Sequence, residues 1–146
     1  MGLYFPNDFM AEHTGNLAPF DFYDSAFVAN ATAQNVLRFN IDTGIKKGWI
    51  TGMGIFLDDS QRYNHTVTWR LFRNDDELPF GNFTNGLTSN PFEGTLGFTY
   101  DPKPIIPLLV TGGEEYRILV NNGSAVNLLC AARVVGFYDL GSTRIT

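Results

Sequence analysis

This chain is poor in cysteine, histidine and charge, and each scarcity removes a class of function. Its one cysteine, Cys130, cannot form a disulfide within the chain. It lies in the apolar run 126–132 and reads as a small buried hydrophobe rather than a reactive thiol. A lone unpaired cysteine also points to synthesis in a reducing compartment. Zinc needs three or four close nitrogen or sulfur ligands. Two histidines, His13 and His65, and one cysteine at no motif spacing do not supply them, so no metal and no cofactor are expected. There is no Gly-x-Ser-x-Gly, and His65 shares only a polar turn region with Asp59 and Ser60. Nucleophilic catalysis needs a base held against the nucleophile, so the chain is not read as an enzyme.

Basic charge is also short. Lys and Arg total 10 against 15 Asp and Glu, a net charge of −5, and no basic run exceeds Lys46-Lys47. A nucleic-acid binder needs a basic stripe to displace counterions, so nucleic acid is not an expected partner. No apolar run approaches the roughly 20 residues that span a bilayer, so no membrane partner is expected. No basic region followed by an apolar stretch opens the sequence, so no secretory leader is expected. Without one, the Asn-x-Ser/Thr sequons at Asn30, Asn64, Asn82 and Asn122 read as turn chemistry rather than glycan sites.

What is abundant is strand pattern and phenylalanine. Charged residues make up 17% of the chain, below the roughly one quarter usual in soluble domains. Aromatics make up 14%, with 13 Phe, so apolar surface beyond the core is expected to be covered by another subunit. Strands are predicted at 36–42, 48–57, 66–72, 92–100, 105–110, 116–120 and 126–138. An edge strand starts at Leu78-Pro79-Phe80. Val67, Trp69 and Leu71 alternate with Thr66, Thr68 and Arg70, which places Trp69 in the core. Gly52 and Gly54 inside the second strand mark a bulge or a close backbone approach. The stretch 81–91 is a loop, longer than most connections in compact domains. About seven or eight strands with turn signals roughly every ten residues indicate an all-β sandwich, a jelly roll or an Ig-like Greek key.

The last strand is apolar on both faces. Leu128, Cys130 and Val134 lie on one, with Leu129, Ala131, Val135 and Phe137 on the other. One face meets the core. The other meets the arm described next or a second subunit, which makes Leu129, Val135 and Phe137 candidate oligomer-interface residues.

Residues 1–35 lack this rhythm and are rich in aromatics, so they read as an extended arm on a sandwich domain of 36–146. Within 24–34 a short helix and a first strand both remain possible. Tyr4, Phe5, Phe9, Phe20 and Phe22 are the candidate anchors of that arm on a partner.

Two surface chemistries remain. Carboxylates at Asp58-Asp59, Asp75-Asp76-Glu77 and Glu114-Glu115 read as solvated turns that block edge-to-edge pairing rather than a Ca²⁺ site. Trp49, Trp69, Tyr63 and Tyr100 are candidates for a sugar-stacking platform. That makes a carbohydrate- or receptor-binding module of a phage or bacterium the alternative function.

The stretches VTWRLFRNDDEL at 67–78 and IPLLVTGGEEYRILVNN at 106–122 resemble paired hairpins of the small jelly-roll cement, or decoration, proteins of tailed-bacteriophage capsids. Gly112-Gly113 stands where that family has Pro-Gly. The resemblance spans roughly Trp49 to Tyr138. It implies a jelly roll with a non-enzymatic virion role, made in the host cytoplasm and carried on the capsid surface. Its implied partners are the major capsid protein and further copies of itself, as a homodimer or homotrimer. The protein would clamp junctions between capsid subunits.

Overall fold

A computed structural model describes residues 16–57, 67–78, 97–99 and 101–141. These residues form nine strands: β1 (Leu17–Val28), β2 (Thr32–Asn40), β3 (Lys47–Leu57), β4 (Val67–Arg73), β5 (Asp76–Glu77), β6 (Gly97–Phe98), β7 (Asp101–Val110), β8 (Glu115–Asn122) and β9 (Leu128–Asp139). One sheet runs β1-β9-β3-β7, with the two-residue β6 paired to both β3 and β7. The other runs β2-β8-β4-β5.

The connectivity follows from nested antiparallel pairs. β1 pairs with β9, β2 with β8, β3 with β7 and β4 with β5. This is a long two-stranded ribbon closed at the β4–β5 turn. Folding it over pairs β9 with β3 and β8 with β4. The result is an all-β sandwich with jelly-roll strand order rather than the Ig-like alternative.

Alternation builds the core. Ile50, Met53, Ile55 and Leu57 of β3 and Leu128, Cys130, Ala132 and Val134 of β9 face Leu37, Phe39, Val67, Trp69, Leu71, Tyr116, Ile118 and Val120 of the other sheet. Trp69 is fully buried, as its phase with Val67 and Leu71 predicts. Cys130 is equally buried. The bulge signalled by the β3 glycines is present, with the pairing of β3 to both neighbours shifting between Ile50 and Gly52. β7 carries Pro102, Pro104 and Pro107 and lies at the sheet edge, where a missing N–H costs no interior ladder bond. Its start at Asp101 is earlier than the expected 105. Leu78, the expected start of an edge strand, instead follows β5. There it is buried and donates its N–H to the Leu71 carbonyl.

The expected arm is corrected over its second half. Residues 17–28 are β1, paired with β9 along all 12 residues, and 32–40 are β2, so the sandwich begins well before residue 36. The undecided stretch 24–34 is the end of β1, a turn with Ala31 at φ 57°, and the start of β2. Phe20 and Phe22 are not anchors on a partner. Phe20 is in the core and Phe22 packs against it. Their rings extend a line from Tyr138 through Phe20, Phe22 and Phe39 to Tyr116, at centroid spacings of 4.6, 5.5, 4.3 and 5.5 Å. Strands β1 and β2 are the free margins of their sheets on that side, so burying two rings between them closes the sandwich. Tyr4, Phe5 and Phe9 lie outside the described residues.

Candidate interaction surface

The outward side of the β1-β9-β3-β7 sheet is the chemically unusual surface. Residues directly opposite one another on neighbouring strands share a face. Phe137 of β9 is opposite Pro19 and Trp49, Arg133 is opposite Tyr23 and Gly54, Ala131 is opposite Ser25 and Phe56, and Leu129 is opposite Phe27. Alternate β9 residues Leu128, Cys130, Ala132 and Val134 point the other way, into the core. The reading of β9 as a strand with two apolar faces is therefore realised geometrically. Of the three candidate interface residues, Leu129 and Phe137 are half-buried and retain surface. Val135 and its neighbours Trp49 and Ala131 are already buried, although none of them belongs to the core between the sheets.

The large apolar side chains that remain exposed sit at the margins of this sheet. Phe27 on β1 is 70% exposed, Ile106 on β7 is 89% exposed, and Tyr23 and Leu109 are exposed on the same two strands. Val126 and Leu140 flank β9. Among the described residues, none of the exposed large apolar side chains belongs to β2, β8, β4 or β5. The outside of that second sheet is polar. Arg38 pairs with Glu115 at 3.5 Å, while Arg117 donates to Asn35 and lies 4.2 Å from the Phe72 ring.

One polar cluster interrupts the apolar face. Arg133, the single charge between Leu128 and Tyr138, donates from Nε to Oδ1 of Asp21 at 2.9 Å and from Nη2 to Oδ2 at 2.6 Å. Its Nη1 donates to the Thr99 carbonyl at 3.0 Å. The guanidinium is therefore held at three points and ties β9, β1 and the turn after β6 together. A hollow of about 600 Å³ opens here, lined by Asp21, Tyr23, Thr99 and Arg133.

The other sites expected from sequence fare differently. Trp49 is buried, with the Lys47 ammonium 5.6 Å from its ring, and Trp69 is core, so neither offers a stacking platform. Tyr63 and Tyr100 lie outside the described residues, as do His13, His65 and Asp58-Asp59. The structure does bring the turns bearing Asn74 and Glu115 together, through mutual hydrogen bonds between those residues. Glu114 there is engaged internally. It accepts from the Thr111 N–H and the Tyr116 hydroxyl and pairs with Arg73. Burial first, and then that bond to Glu114, push the Tyr116 hydroxyl well above its usual pKa. Among the described residues no group of three His, Cys, Asp or Glu side chains converges. At Asn122 the turn reading of the sequon is correct. Its buried amide donates to the carbonyls of Val28 and Val126, and its oxygen accepts from Ser124.

Asp21, Tyr23 and Arg133 were not singled out from sequence. A signal exists: once 17–28 is a strand, Asp21 and Tyr23 share a face, and Arg133 is the one charge between Leu128 and Tyr138.

No protein-family model matches the chain, and no curated protein matches it.

Proposed function

We propose that the protein is a non-enzymatic virion component, a capsid cement protein that forms a homodimer or homotrimer and stabilises the shell by clamping major capsid protein subunits. The observation that carries this reading is the segregation of exposed apolar side chains. Phe27, Ile106 and Leu109 line the margins of one sheet, while the outside of the other sheet is charged. Apolar area of this kind is stabilised by burial against protein, at about 25 cal/mol per Å² before ordering costs. The stretches at 67–78 and 106–122 supply the likeness to phage cement proteins, although only the first is a hairpin here, since β7 and β8 lie in different sheets. Many weak contacts repeated over one shell add through avidity. Leu129 and Phe137 join the contact as half-buried neighbours of the margins. Val135 has little surface left to give.

The test pairs light scattering with co-sedimentation on shells of the major capsid protein. The full chain is expected as a discrete dimer or trimer that pellets with shells. Ile106→Glu combined with Leu109→Glu is expected to lose both properties while keeping its far-UV spectrum. A protein that stays monomeric and leaves shells undecorated overturns the assignment.

A further inference from the structure

The hollow at Arg133 has the chemistry of a ligand site rather than of a structural ion pair alone. We propose that it is a carbohydrate subsite that takes one neutral pyranose ring. The proposal does not rest on the virion reading, since it draws on Asp21, Tyr23 and Arg133, whereas the shell contact is assigned to Phe27, Ile106 and Leu109.

Three features select the ligand. First, the Tyr23 ring is 58% exposed and projects from a strand paired along its whole length, so it presents a flat apolar surface at low entropic cost. The C–H face of a pyranose is the complement of such a ring. Second, the Asp21 carboxylate is half exposed and is held in place by two bonds from Arg133. Each of its oxygens spends one acceptor position on the guanidinium and keeps another for a hydroxyl donor. Third, among the described residues that line the hollow the charges cancel. An anion would meet the Asp21 carboxylate and a cation would meet the Arg133 guanidinium, so a neutral polyol is favoured over either. The hollow is widely open to solvent rather than enclosed, so it suits one ring stacked from a single side, and its polar groups are few and pre-oriented. Arg133 acts here as a positioning residue, fixing the carboxylate while being fixed itself by the Thr99 carbonyl.

The experiment is saturation-transfer NMR on the full chain with the methyl glycosides of glucose, galactose, mannose and N-acetylglucosamine. Each is present at about 10 mM, tenfold above a Kd of about 1 mM. Inorganic phosphate is titrated separately, followed by chemical shifts. At least one glycoside is expected to receive saturation at its ring protons. Tyr23→Ala should lower that affinity at least tenfold, while Tyr23→Phe keeps the ring and retains binding. Asp21→Asn should weaken binding without unfolding the protein, because the residue is exposed. Transfer to none of the four sugars, transfer unchanged in Tyr23→Ala, or phosphate binding in place of sugar binding each overturns the proposal. None of these outcomes bears on shell binding, so the two assignments fail separately.

Discussion

The ring of Phe20 occupies the space that a side chain at Gly136 would need. A Cβ at Gly136 would overlap that ring and the carbonyl oxygen of Trp49. The two residues are cross-strand partners on β1 and β9, and the absence of a side chain at Gly136 lets Phe20 reach Tyr138. Gly136→Ala is therefore expected to destabilise the fold by about 1–3 kcal/mol through overpacking. Urea denaturation checks this. A change below about 0.5 kcal/mol would mean that both the Phe20 ring and the Trp49 backbone shift freely and that neither contact is constraining.

Asn122 is the polar keystone of the opposite end of the sandwich. Its side chain bonds Val28, Val126 and Ser124 from a fully buried position, so the end of β1 and the turn between β8 and β9 both lose a partner if it is removed. Asn122→Ala is expected to cost about 3 kcal/mol, since each stranded buried polar group costs about 1–3 kcal/mol. Thermal melting should show a large drop in Tm. Asn122→Asp keeps the acceptor but sets a buried carboxylate against the Val28 and Val126 carbonyls, so at neutral pH it should lower Tm at least as much as alanine does.

Tyr116 links stability to alkaline pH. Its folded pKa lies above the unfolded value of about 10, so the folded state holds a proton that the unfolded state releases. Stability from this group is fully present below about pH 10 and is lost as pH rises toward the folded pKa. The slope is at most about 1.4 kcal/mol per pH unit. Tyr138, raised by burial and then by Asp42, contributes in the same direction. Tyr116→Phe should flatten the decline above pH 10 relative to the parent. Equal slopes in the two proteins would show that Tyr116 ionises normally.

Phe27 and Ile106 are expected to matter for association and not for folding. Both are mostly exposed, and exposed substitutions away from special features usually change stability by less than about 0.5 kcal/mol. Phe27→Ser and Ile106→Ser should keep their urea midpoints while raising the dissociation constant of the oligomer, read by sedimentation. A shifted midpoint with unchanged association is the contrary result.

The β-sandwich was legible in sequence because its strongest signals are local. Val67, Trp69 and Leu71 alternate with polar residues, and the apolar residues of β9 alternate between two faces, a period of two that needs no tertiary knowledge. β1 was not legible for the same reason inverted. Its aromatics fall on both faces, with Phe20 and Phe22 inward and Tyr23 and Phe27 outward, so no alternation marks it. Only pairing with β9 decides which of them are core, and that pairing joins residues a hundred or more positions apart. The same distance hides the hollow, because Asp21 and Arg133 are unremarkable until two strands bring them together. Sequence alone thus determined the all-β class, the burial of Trp69 and Cys130 and the two-faced last strand, since composition and period decide these locally. The tertiary structure decided where the sandwich begins, which aromatics remain exposed and where charge interrupts the apolar face. These depend on register between distant strands, and a slip of one residue would send every side chain to the other face.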